Sequence, residues 1–181
     1  FVADQSAPPL QRARLAAELA AVLPGFDRVR YPDWGALLDR WISESAPGGV
    51  LVLDEFPYLA KRSPELPSVL QRIVDRIAGS GRKLVVCGSS QRMMQGLVLD
   101  ESAPLYARCR EILPVRPLSF EWTRPAFPRL SPRQRLERWA VWGGVPRYWE
   151  LDGGRADLLD VLRREVFSPL GGLRNEPQFL L

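Results

Sequence analysis

Apolar positions recur along this chain with two periods, and the switch between them predicts its elements. Leu10, Leu15, Leu19 and Leu23 fall at helical spacing behind Ser6 and Pro8-Pro9, and Pro24-Gly25 closes the run. Trp34, Leu37, Leu38, Trp41 and Ile42 predict a second helix over 33–44. Pro47-Gly48-Gly49 punctuates, and Val50-Leu51-Val52-Leu53 is an unbroken apolar run of the kind that forms a buried strand. Ser63-Pro64-Glu65 offers an N-cap, a proline for the first helical position and an acid for the first turn. Leu66, Val69, Leu70, Ile73 and Ile77 carry that helix to Gly79-Ser80-Gly81. Lys83-Leu84-Val85-Val86-Cys87 predicts the next buried strand, closed by Gly88-Ser89-Ser90, and Phe1-Val2-Ala3 reads as the end of another. Glu111-Ile112-Leu113-Pro114-Val115 predicts a further strand, which its proline confines to an edge or an irregular end.

After about Phe120 the strand pattern stops. Ser131-Pro132-Arg133-Gln134 has the form of a capping box, and helices are predicted over 136–142, 146–151 and 156–166. Trp139, Trp142, Tyr148 and Trp149 recur at helical spacing and predict a core for this part, not a base-stacking platform. Strand–helix alternation followed by a helical tail implies an α/β fold with a parallel sheet and a small helical subdomain. The expected division is an α/β core over 1–118 and a helical lid or subdomain over 119–181.

Composition then removes chemistry. The chain has no histidine, so Ser-His-Asp and Cys-His nucleophile systems, a histidine general base and histidine-containing zinc sites are excluded. Its 25 basic residues comprise 23 arginines and only Lys61 and Lys83, against 21 acids, for a net charge of +4. The arginines are interleaved with Asp and Glu, which makes a weak field and not a nucleic-acid signature. Cys87 and Cys109 are too few for a disulfide framework and fit a reducing, cytoplasmic location. No apolar run approaches a membrane span, and no signal peptide is present, so no membrane partner is expected.

Candidate chemistry sits where the first buried run ends. Val50-Leu51-Val52-Leu53-Asp54-Glu55 brings two carboxylates to the C-terminal edge of a strand, where α/β sheets bind ligands. This is the form of a Walker B segment, in which the Asp supports Mg²⁺ on nucleotide phosphates and the next Glu polarises the attacking water. Gly88-Ser89-Ser90, at the end of the next strand, stands where a polar sensor group belongs, and equally where Ser90 serves as a helix N-cap.

Leu51-Val52-Leu53-Asp54-Glu55-Phe56-Pro57-Tyr58-Leu59 resembles the Walker B region of the archaeal-type ATPase family, in the AAA+/STAND branch of P-loop NTPases. Val85-Val86-Cys87-Gly88-Ser89-Ser90 through Met93-Met94 is similar to its sensor segment. Leu105-Tyr106-Ala107-Arg108 is similar to its Leu-Tyr-Gly-Arg stretch, with Ala107 in place of Gly. Pro117-Leu118-Ser119-Phe120 and Gly143-Gly144-Val145-Pro146-Arg147-Tyr148 follow in the same order. The resemblance implies a parallel sheet of P-loop NTPase type, additional-strand class, with ATP and Mg as cofactors. It assigns Asp54 to Mg, Glu55 to water activation, Ser89 to the sensor, Arg108 to the γ-phosphate or a subunit interface, and Pro146 to packing on adenine. Gly143-Gly144 and Pro146 equally end one helix and begin the next.

One motif is missing. Such an ATPase wraps phosphates with Gly-x4-Gly-Lys-[Ser/Thr], and this chain has no Gly-Lys dipeptide. It begins at Phe1 inside an apolar run, and in the family the phosphate loop lies upstream of that point. The expectation is a fragment of a P-loop ATPase that lacks its Walker A segment and is inactive by itself. The parent couples ATP hydrolysis to a conformational switch, acting on a protein partner or DNA and open to oligomerisation. The alternative is a non-catalytic α/β interaction or DNA-associated module with a vestigial Walker B.

Overall fold

Two prolines open the first helix, where their missing N–H groups cost nothing. A computed structural model of the chain describes residues 1–101, 103–154 and 157–176. It divides into two compact units, Phe1–Ile112 and Leu113–Leu181. In the first, α1 (Pro8–Ala20) buries Gln11, Leu15, Ala16 and Leu19. These form a single i, i+4 stripe, so Leu10, expected on the apolar face, falls outside it and is exposed. Gln11 takes that place because its amide ties down the incoming chain: its oxygen accepts from the Asp4 N–H and its nitrogen donates to the Ser6 carbonyl. Ser6 does not cap α1. Its hydroxyl donates to Asp4, which, with the Ser6 N–H and Arg14, lowers the Asp4 carboxyl to about 2.

α2 (Trp34–Glu44) starts at Asp33, whose carboxylate accepts from the Ala36 N–H at 2.8 Å. Its face of Trp34, Leu37, Leu38 and Trp41 is buried. β1 (Val50–Leu53) follows, then α3 (Phe56–Arg62), α4 (Leu66–Ile77), β2 (Lys83–Val86) and the single turn α5 (Gln91–Met94). α4 begins later than its capping signal predicts, because Ser63 is used elsewhere: its hydroxyl receives the buried Trp34 indole N–H at 2.8 Å. The apolar face of α4 is as expected, with Leu66, Val69, Leu70, Ile73 and Ile77 buried.

β1 and β2 are parallel neighbours, in register from Val50 opposite Lys83 to Leu53 opposite Val86. Phe1-Val2-Ala3 adds one bridge, with Asp54 donating to the Phe1 carbonyl and accepting from Ala3, each at 2.9 Å. The pairing ends there. Among the described residues the sheet has two strands and that bridge, and most of the chain is helical. The many-stranded parallel sheet of P-loop NTPase type expected from the sequence is therefore not the architecture found.

The reason lies in which runs can pair. The 111–115 run forms no strand: Pro114 has no N–H to donate, and Ile112, Leu113 and Val115 are 58%, 79% and 97% exposed. Most remaining apolar positions repeat at helical spacing. Both runs have the pattern of strands covered on two faces, yet each turns one face outward. Leu51 and Leu53 enter the core, while Val50, Val52 and Val85 face outward.

The second unit is helical. Ser131 and Gln134 form a reciprocal capping box at the start of α7 (Pro132–Trp142), following the short α6 (Thr123–Ala126). α8 (Pro146–Asp152) and α9 (Leu158–Leu162) complete it, α9 passing into a π-helical turn, Arg163–Phe167. The expected start of this last helix, Ala156, lies outside the described residues, as does the chain end from Pro177. Phe127, Leu130, Trp142, Trp149, Val161 and Leu173 form the core, with Trp139 and Tyr148 packed against it. The clustered aromatics are core, as their spacing implies.

Candidate functional site

Strand β1 runs directly into helix α3 with only Asp54 and Glu55 between them. So abrupt a reversal requires one residue to leave the extended region, and that residue is Glu55, with φ 51° and ψ 39°. A non-glycine residue held there costs about 1–3 kcal/mol and persists only where its surroundings over-determine it. Four interactions do so. Its N–H donates to Oδ1 of Asp54 at 2.9 Å, and its carbonyl accepts from Tyr58 at 2.9 Å. Phe56 is fully buried, and its N–H donates to the Cys87 carbonyl at 2.9 Å.

The turn after β2 locks onto the same place. A β-carbon at position 88 would sit 2.6 Å from Cδ and 2.9 Å from Cγ of Pro57, so Gly88 is what lets the two strand ends close together. Cys87 lies beside Asp54. Partial burial first, then the neighbouring Asp54 and Glu55 carboxylates, push its thiol up to about 11, so it is a neutral packing group and not a nucleophile. Ser90 caps α5 through the Met93 N–H, and Ser89 is exposed one residue earlier.

Asp54, Glu55 and the Gly88-Ser89-Ser90 turn thus occupy one end of the strand pair. Arg108 does not join them. Its guanidinium pairs with Asp75 at 3.2 Å and donates to the Pro104 and Tyr106 carbonyls. Asp75 is in the last turn of α4, which ends where the chain turns back towards the start of β2, opposite to the end bearing Asp54. Ala107 has φ 57°, a conformation that favours glycine. Pro146 belongs to the second unit, exposed in the first turn of α8. There the Leu118 N–H donates to the Gly144 carbonyl at 2.8 Å, so two of the resembling segments meet through backbone.

As a metal site the Asp54–Glu55 pair is partial. Among the described residues no group of three or more His, Cys, Asp or Glu side chains could hold a metal ion. Mg²⁺, however, takes one or two carboxylates and fills its octahedron with water and phosphate oxygens. Asp54 at the strand end could supply one such carboxylate, with water and phosphate oxygens filling the remaining positions. A triphosphate finds no Gly-x4-Gly-Lys cradle in the sequence.

Sequence reasoning missed two features. The helix α3 was not predicted, although Phe56-Pro57 carries the signal of an N-terminal proline. The second is an ion pair inside the helical unit: Arg138 and Asp152, 1% and 0% exposed, meet at 2.9 Å, and Asp152 also accepts from the Trp142 indole at 2.7 Å. Nothing in the pattern distinguishes these two charges from the solvated ones beside them.

No family model matches the chain, and no solved structure matches it. An uncharacterized protein of Methanocaldococcus jannaschii is 34% identical to it over 133 residues. The match takes in 73% of this chain and 30% of that protein, so the chain spans less than a third of the length of the relative it resembles.

Proposed function

We propose that these residues supply the carboxylate end of a Mg²⁺-dependent ATP-hydrolysing switch, working within a longer protein that provides the phosphate loop. The observation that carries this reading is the juxtaposition of Asp54, the left-handed Glu55 and the Gly88-Ser89-Ser90 turn at one end of two parallel strands. In it Asp54 holds the cation, Glu55 orients a water and takes its proton, and Ser89 contacts the terminal phosphate. Bound Mg²⁺ would neutralise charge developing on the phosphates. The 181 residues alone, without a Gly-Lys phosphate loop, bind ATP weakly and do not turn it over.

The test is Mg-ATP turnover by the longer protein in which these residues adjoin a Gly-x4-Gly-Lys-[Ser/Thr] segment. Glu55→Gln lowers turnover by about 10²–10⁴-fold, the range for a lost general base, with ATP binding retained. Undiminished turnover removes Glu55 from that role.

A second reading is a non-catalytic module, favoured by the hydrogen bond from Glu55 to Oδ1 of Asp54, which gives the carboxylate a structural task. Asp54→Asn separates the two. The amide keeps an acceptor for Glu55, so a structural role leaves function intact, whereas a cation ligand is lost.

A further inference from the structure

A groove on the first unit is not used by that chemistry. It lies between α3, the start of α4 and the α5 turn with its π-helical continuation, Gln95–Leu99, and has a volume of about 460 Å³. That is within the range of about 300–1,000 Å³ seen for binding clefts. Its floor is apolar: Pro57, Ala60, Pro64, Pro67, Met93 and Leu97 line it. Three of these are prolines, whose fixed backbone leaves little freedom to lose on binding. Met93 is exposed, and its unbranched thioether adapts to varied apolar side chains.

Charge identifies the occupant. Lys61, one of only two lysines in the chain, and Arg92 both line the groove, and both are exposed. Neither makes an ion pair among the described residues. Across 56–67 and 91–97, the segments that build the groove, the charged residues are Lys61, Arg62 and Arg92 against Glu65 alone. Some surface arginines are answered by a neighbouring acid, as Arg76 is by Asp39 and Arg133 by Glu137. Here the cations border an apolar surface without such an answer. Among the described residues no buried polar side chain lines the groove to orient a small molecule, whereas an apolar floor with Met and Arg at its edge matches the make-up of protein interfaces.

We propose that this groove docks a short peptide segment of a partner protein, one whose apolar side chains enter between the prolines and Met93 while its Asp or Glu residues meet Lys61 and Arg92. The docking is independent of any nucleotide chemistry at Asp54 and Glu55.

Panning the 181-residue protein against displayed random dodecapeptides tests it, followed by fluorescence anisotropy of the enriched sequences. The expected result is enrichment of peptides that combine large apolar residues with Asp or Glu. Their affinity falls at least about tenfold in Lys61→Glu with Arg92→Glu, and again in Met93→Asp. All three positions are exposed, and unchanged circular dichroism of the variants checks that the fold is intact. No enrichment, enrichment of basic or uncharged peptides, or affinity indifferent to the charge reversals overturns the proposal. So does tighter binding to phosphatidylserine vesicles or to an oligonucleotide than to any enriched peptide, since either makes the surface a general anion patch.

Discussion

The two units handle charge in opposite ways. In the first, the pair Asp54 and Glu55 is half-buried at a strand end and held by backbone hydrogen bonds. In the second, Arg138 and Asp152 are withdrawn completely from water and neutralise each other, with the Trp142 indole as a third member. Taking an ion pair out of water costs several kcal/mol per charge, and their attraction returns it only with good geometry. A carboxylate pair left at the rim is free to meet a cation or a water. The first arrangement suits chemistry and the second suits architecture, although both are built from residues that look alike in sequence.

Each unit also rests on a glycine that lets two segments touch, and the neighbours differ. At Gly88 a β-carbon would meet the Pro57 ring, with Met94 Sδ 3.2 Å away. At Gly144 it would lie 1.9 Å from the Leu118 carbonyl oxygen and 2.6 Å from the Leu118 nitrogen. A ring at a helix start can shift, but a hydrogen-bonded backbone cannot do so without losing its bond. The glycine in the helical unit is therefore the stricter requirement.

Three measurements sharpen or break this contrast. Asp152→Ala leaves Arg138 charged and buried without its partner, and should lower the unfolding free energy by about 3–5 kcal/mol in urea titrations followed by circular dichroism. A loss no larger than that of a surface acid would show that the pair is not the architectural element described. Next, Gly144→Ala should cost about 3 kcal/mol or more, and Gly88→Ala about 1–2 kcal/mol, within the span of overpacked sites. The reverse order would break the comparison of backbone with ring.

The smallest effect is chemical. With its thiol raised from 9.0 to about 11, Cys87 carries about a hundredfold less thiolate at pH 8 than an ordinary cysteine. It should resist iodoacetamide, and Asp54→Asn should quicken its alkylation several-fold by removing a neighbouring negative charge. The raised value means that the folded state holds the proton more tightly than the unfolded one. This contribution is complete below pH 9 and lost as pH rises towards 11. Equal alkylation rates in both proteins would detach Cys87 from the carboxylate site.

Much of the local structure was legible beforehand because it depends on neighbours in sequence. The i, i+3, i+4 runs of α2 and α4, the Ser131–Gln134 box and the apolar strands 50–53 and 83–86 need only periodicity and caps. The extent of the sheet was not legible. An apolar run announces that it can pair, not that a partner exists, and 111–115 shows the gap between the two. Around the site, the carboxylates and the Gly88 turn were readable, but the left-handed Glu55 and its closure by Cys87 were not, since they arise from contacts between segments more than thirty residues apart.

The sequence by itself determined the apolar faces of α2 and α4 and the two short strands, that two carboxylates follow the first buried run, and that histidine chemistry is absent. These depend on residue type and on spacing within a turn or two. Tertiary structure alone decided three things: that Arg108 answers Asp75 away from Asp54, that Arg138 and Asp152 are buried together, and that Lys61 and Arg92 border one apolar groove. The reason is physical. A charge has the same identity in sequence wherever it lies, and only its distance to a partner and to water fixes whether it is architecture, chemistry or recognition.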